Sequence, residues 1–220
     1  VLEFAEGRRC SFWFVRADKL RAFDGTTPPR LQELRKTHPD WLVQRTISFK
    51  EGCAGAYARS ALVVSHCWEK PEAPDEQGAQ FAAIKKHLLA NPAVEWVWYD
   101  FWSMPQGRDK AEWETAEFMV MLPNINLLYL FCSVLILLDL SYMGRFWTQF
   151  EAFLSMRKIT TAGLEAAGAH ERRTSVACIH NAPSAFSEAL FGMWNEKTAA
   201  EAHGILVKPD VKVTNQSDKD

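Results

Sequence analysis

The chain has 220 residues, 48% of them hydrophobic, with a formal net charge of -2 and a pI near 6.3. That supports one core and a modest appendage, and it gives no electrostatic basis for nucleic-acid binding, which needs clustered Lys and Arg. The five cysteines form an odd set with no Cys-x-x-Cys pair, so a reducing, cytoplasmic setting is expected and neither a disulfide framework nor a metal site.

Residues 1–59 differ in character from the rest of the chain and read as an N-terminal extension or the end of an upstream region. The chain opens at Val1 without a methionine, as a fragment or processed product would, and has no signal-peptide pattern. Pro28-Pro29 begins a short helical stretch that His38-Pro39-Asp40 ends. Trp41 to Phe49 then alternates weakly until Glu51-Gly52 breaks it.

From residue 60 to 214 the pattern becomes regular, leaving 215–220 as a tail. Ala61 to Val64 reads as a short buried strand running into Ser65-His66-Cys67-Trp68. After an acidic, Pro-containing loop, Phe81, Ile84 and Leu88 mark one helix stripe within Gln80–Leu89. Val94 to Tyr99 is a second strand with Asp100 at its end, and Ser103 to Arg108 is a turn. Ala111 to Leu122 reads as a helix.

Phe118 to Leu138 carries no charged residue over about the length of a bilayer span. Pro123, Asn124 and Asn126 interrupt it, however, so a helix end followed by a buried strand at Val134–Leu138 is expected, and no membrane span. A helix opening near Gly144 places Trp147 and Glu151 one turn apart on one face. Thr174 to Ile179 reads as a fourth strand, Ser187 to Ala202 as a helix and Val211 to Thr214 as a last short strand. Strand–helix alternation predicts an α/β fold, a flavodoxin-like three-layer sandwich with a mostly parallel, roughly five-stranded sheet.

Three segments in this order, SHCW after the first strand, WVWYDFWSMPQGRDKAEWE and VLILLDLSYMGRFWTQFEAF, resemble TIR domains and the related heterokaryon-incompatibility (HET) domains. The resemblance covers residues 61 to 160 and, more loosely, the chain to about 214. His66 and the acidic Glu69–Glu76 loop depart from the family pattern. The resemblance implies cleavage of the nicotinamide–ribose bond of NAD, with Glu151 as the catalytic carboxylate and NAD, or a related nucleotide, as substrate rather than cofactor. It also implies a signalling role and self-association into a homo-oligomer through loop 101–108.

Cleavage of that bond builds positive charge on the ribose while the ring departs neutral, so the site needs a carboxylate and a flat apolar surface. Glu151 can supply the charge. Phe101, Trp102 and Trp147 are the candidate aromatic surfaces, and Ser65 and Asp100 stand at strand ends where sugar or phosphate oxygens can be bound. Each has a plainer alternative: a helix-dipole charge for Glu151, a turn cap for Asp100, a local backbone bond for Ser65 and core packing for the tryptophans. No Gly-rich phosphate loop and no G-x-S-x-G elbow occur. A non-catalytic adaptor of the same fold, or a structural subunit of a larger assembly, is the competing expectation.

Overall fold

In the computed structural model, which describes residues 7–213, the chain first builds an antiparallel strand pair. Strands β1 (Arg9–Arg16) and β2 (Leu42–Ser48) are joined through helices α1 (Ala17–Ala22) and α2 (Leu31–Thr37). Strand β1 alternates, burying Cys10, Phe12 and Phe14, a period-two signal in the stretch read as an N-terminal extension or the end of an upstream region. It pairs with the parallel part of the sheet. Helix α3 (Phe49–Cys53) comes next, with Ser48 Oγ accepting from Glu51 N at 3.2 Å. Glu51 and Gly52, expected to end the alternation that starts at Trp41, lie inside this capped helix, which follows β2 directly.

The remainder alternates. Strand β3 (Ala61–Ser65) leads through α4 (Ala79–Ala90) to β4 (Trp96–Trp98). Helices α5 (Asp100–Ser103), α6 (Glu112–Met121) and α7 (Asn126–Phe131) then precede β5 (Ser133–Leu138). The uncharged stretch from Phe118 is thus divided among two helices and a strand, and no helix among the described residues is long and apolar enough to cross a membrane. Helix α8 (Phe146–Ser155) is followed by a small hairpin, β6 (Arg157–Thr160) and β7 (Gly163–Ala166), and by β8 (Thr174–Cys178).

The chain ends in α9 (Ala185–Trp194) and α10 (Ala199–Leu206), two helices where one was expected. Thr198 starts the second: its Oγ1 accepts from Glu201 N while its own N donates to Glu201 Oε2. The expected last strand does not join the sheet. Lys212 forms one isolated bridge to Arg145, and Thr214 lies outside the described residues.

Six strands form the sheet, in the order β2-β1-β4-β3-β5-β8. Strands β4, β3, β5 and β8 are parallel, and β1 is antiparallel to both of its neighbours. The parallel part keeps the flavodoxin-like order, and the β1–β2 pair extends its edge. Every residue of β3 is buried. Ala61, Val63, Val134, Ile136 and Leu138 pack into one core with α7 to α10; Leu62, Val64, Leu135 and Leu137 pack into the other with α1, α2 and α4. These two cores are the two interlayer spaces of a three-layer α/β sandwich.

The chain runs from β3 outward to β4 and then crosses β3 to reach β5. The connections leaving β3 and β5 therefore diverge, and a crevice opens at their carboxyl ends. Leu137→Ala, next to the carboxyl end of β5 and fully buried, is expected to lower unfolding free energy by about 2–5 kcal/mol through lost burial and a residual cavity. Urea titration with an unchanged denaturant slope would check this.

Candidate active site

Ser65 is the last residue of β3 and points its hydroxyl at α8. Its Oγ lies 2.6 Å from Glu151 Oε2 and 2.6 Å from the Tyr142 hydroxyl. Tyr142 OH is also 3.0 Å from the Thr148 carbonyl, to which it donates. The hydroxyl of Tyr129, on α7, reaches both Glu151 and the carbonyl of Val64. Thr148 Oγ1 in turn donates to the Tyr142 carbonyl at 2.7 Å, fixing the turn that leads into α8. The carboxylate is thus held by the central strand, two core tyrosines and its own helix.

The proton count in this chain of oxygens depends on Glu151. With the carboxyl protonated, Glu151 donates to Ser65, Ser65 to Tyr142 and Tyr142 to the Thr148 carbonyl, and every acceptor is served. With the carboxyl ionised, Ser65 donates to Glu151 and the Tyr142 proton is sought by both Ser65 and Thr148. Burial accordingly pushes the Glu151 carboxyl up to about 7, against the pull of Ser65, His66 and Tyr129. Burial also pushes both phenols well above their ordinary range, so they remain neutral donors.

A second cluster adjoins the first. His66 Nε2 lies 2.9 Å from Asp100 Oδ1, and Trp68 Nε1 donates to Asp100 Oδ2 at 2.6 Å. The imidazole stacks on Tyr99 with ring centres 4.1 Å apart. Burial acts to lower the His66 pKa, but Asp100, aided by Glu151, leaves it raised overall. Asp100, expected at a bare strand end, opens α5 and orients His66 and Trp68, two residues to which the sequence pattern assigned no site role.

The other expected residues divide. Phe101 is half-buried and meets Trp68 edge-on at 5.8 Å, forming an aromatic corner at the rim. Trp102 does not reach the rim: the turn of α5 sends it inward, fully buried against Tyr99 and Phe81. Trp147 is 46% exposed and packs edge-on against Phe146 and Phe150. Trp113, at the start of α6, lies on the surface beneath the Arg35 guanidinium.

A groove of about 470 Å³ lies over the same strand ends, with walls that include Trp68, Glu69, Asp139, Ser141, Arg145 and His180. Glu69 and His180 close one side, 2.8 Å apart. Arg145, the residue that caps the start of α8, has no carboxylate partner among the described residues. Glu151 is not one of the walls. Cys67 stands between: it bonds to Ser141 and feels Asp139 and Arg145 from the groove and Glu151 from within, while burial pushes its thiol up to about 11. That thiol is inert at neutral pH.

The departures near the first strand have internal uses. Asp75, in the acidic loop, accepts from Gln80 N and Phe81 N at 2.9 and 2.7 Å and caps α4, and Lys70 pairs with Glu76 at 2.6 Å. Among the described residues no group of three or more His, Cys, Asp or Glu is arranged to hold a metal ion.

Fold and site together define a doubly wound α/β protein with a proton-sharing carboxylate at its topological switch point. No family model, curated protein or solved structure matches the chain.

Because the folded Glu151 carboxyl titrates near 7 rather than 4.5, the native state binds its proton more tightly than the unfolded chain. Stability therefore falls as pH rises through that window; His66, also raised, contributes a loss in the same direction. Glu151→Gln is expected to remove the Glu151 share, gaining roughly 1–3 kcal/mol on the parent by about pH 8 and little near pH 5. Urea midpoints across that range check it, and a difference independent of pH would mean an ordinary carboxyl.

Proposed function

We propose that the protein is a TIR/HET-like NAD hydrolase that cleaves the nicotinamide–ribose N-glycosidic bond in stress or cell-death signalling. The observation that carries this reading is the Glu151 carboxylate, bonded to Ser65 at the end of the central strand, near a groove that Trp68 lines. In the reaction the C1′–N bond breaks and both its electrons leave on the nicotinamide nitrogen, which departs neutral. Water adds to C1′, releases a proton and yields ADP-ribose.

In this reading the ionised Glu151 offsets the positive charge that develops on the ribose. Ser65 holds that charge in place and orients the carboxylate. Trp68 and Phe101 supply the flat surface for a ring, and Arg145 offers a guanidinium fork to the pyrophosphate. Asp100 positions the Trp68 indole. The site excludes bulk water from the carboxylate on the strand side, which strengthens its field.

Self-association belongs to the same reading. Gln32 and Gln106 exchange two bonds, at 2.7 and 3.1 Å, and pin the loop, so its exposed part is Gly107 to Asp109. That tip is the segment offered to a second copy. An adaptor without turnover is the second reading, favoured by Trp113, Met119, Val120 and Leu122, apolar side chains exposed along α6 and the turn after it.

Nicotinamide release from NAD by the concentrated protein tests the first reading. Release by the parent is expected to rise with pH through about 7, the value to which Glu151 is raised, and more than linearly with protein concentration. Glu151→Ala is expected to lower it by roughly a hundredfold or more. Trp68→Ala is expected to act mainly on KM, by about tenfold. No release by the parent at any concentration would favour the adaptor.

A further inference from the structure

The opposite end of the sheet carries a second concavity with the opposite charge. A cleft of about 390 Å³ runs beneath the amino ends of all four parallel strands, next to Ser133 and Ser175. Arg59, His87, Arg172 and Arg173 line it, and no Asp or Glu does among the described residues. Three arginines thus line one cleft of a chain whose net charge is -2.

None of the three forms an ion pair with a carboxylate among the described residues. Arg173 donates to the backbone carbonyls of Tyr129 and Cys132, and to that of Arg157 at 3.0 Å. Burial lowers its pKa, but only to about 10, so it keeps its charge at neutral pH. Arg172 lies over the Phe191 ring at 4.8 Å, which fixes the guanidinium plane while leaving its N–H edge free of a carboxylate. Arg59 is exposed at the rim and has no carboxylate partner among the described residues either.

Elsewhere the chain commonly pairs its cations, as in Arg35–Glu117 at 2.7 Å, Lys19–Asp40 at 2.6 Å and Lys158–Glu171 at 2.9 Å. Like charges gathered in one concavity repel one another and focus a positive potential there. The cleft wall is also rigid: Arg21 donates to the carbonyls of Leu88, Asn91 and Val94 at 2.9 to 3.1 Å and ties the loop before β4.

We propose that this cleft is a binding site for a small phosphate-bearing anion, gripped by Arg59 and Arg172 over the buried charge of Arg173. Guanidinium forks match phosphate oxygens two at a time, and the volume suits a small molecule rather than a nucleic-acid backbone. The site is separate from Glu151, at the far end of the same strands, and its occupancy offsets the repulsion among the arginines. It does not depend on the NAD-hydrolase reading.

Titration calorimetry on the whole chain with inorganic pyrophosphate, and separately with AMP, tests the proposal. The parent is expected to bind at least one probe, with affinity falling as salt rises. The Arg59→Ala/Arg172→Ala double variant is expected to weaken it about tenfold or more through loss of two charged phosphate contacts. Ser175→Glu, which adds a carboxylate at an exposed lining position, is expected to do the same while removing no packing. Lys36→Ala, at an exposed cation that lines neither concavity, should leave this binding intact. Tighter binding of AMP would make the source a nucleotide, and tighter binding of pyrophosphate a free phosphate. Absence of binding by the folded parent, unchanged binding in both cleft variants, or loss of binding in Lys36→Ala would overturn the proposal.

Discussion

Burial of β3 on both faces is the constraint on which the rest of the molecule depends. The strand has partner strands on both edges and apolar packing on both sides, so helices must cover both faces. Leu62 and Val64 face α1, α2 and α4, whereas Ala61 and Val63 face the opposite layer with α7 and α8. With β4 on one edge and β5 on the other, successive crossovers leave in opposite directions. The crevice at the carboxyl ends is then a geometric consequence of strand order rather than an added feature.

Ser65 ends that strand with the one polar side chain it carries, and this is where the scaffold becomes chemical. A serine held in the ladder with β5, opposite Ile136, is a rigid reference for Glu151 and Tyr142. The carboxyl cannot escape to water without breaking bonds to the core, and it cannot ionise without leaving a carbonyl contested. Burial raises the pKa, while the bonds from Ser65 and Tyr129 hold the orientation and pull the other way. His66 and Asp100 add a second, partly compensating charge pair at the end of the same strand and the start of α5. Parallel strands thus place carboxylates and an aromatic rim at one end of the sheet, and unpaired arginines at the other.

Much of the fold was legible because it rests on periodicity. The uninterrupted apolar runs at Ala61–Val64 and Val134–Leu138 had to be interior strands, and the Phe81/Ile84/Leu88 stripe had to be a helix face. Strand β1 was equally periodic, but its alternation lay in a region whose composition set it apart. The division of α9 from α10 depends on Thr198 and Glu201 satisfying each other's backbone and side chain, a local signal weaker than the apolar run around it. Hairpin β6–β7 was hidden in a Gly- and Ala-rich stretch, where its turn depends on Gly163 at φ +120°.

Of the site, the sequence by itself determined which residue types would stand at strand ends: Ser65, Asp100 and, one helix later, Glu151. Spacing along a strand or helix fixes direction within that element and nothing beyond it. Only the tertiary structure decided which of them meet, because Ser65 and Glu151 come from elements whose separation in the chain carries no distance information. It also decided that Trp102 turns inward while Trp68 reaches the rim, a choice made by the one-turn helix α5 and not by any residue pattern. The same holds for the arginine cleft. Arg59, Arg172 and Arg173 look like scattered surface charges in the chain, and parallel pairing of β3, β5 and β8 gathers the starts of those strands into one place.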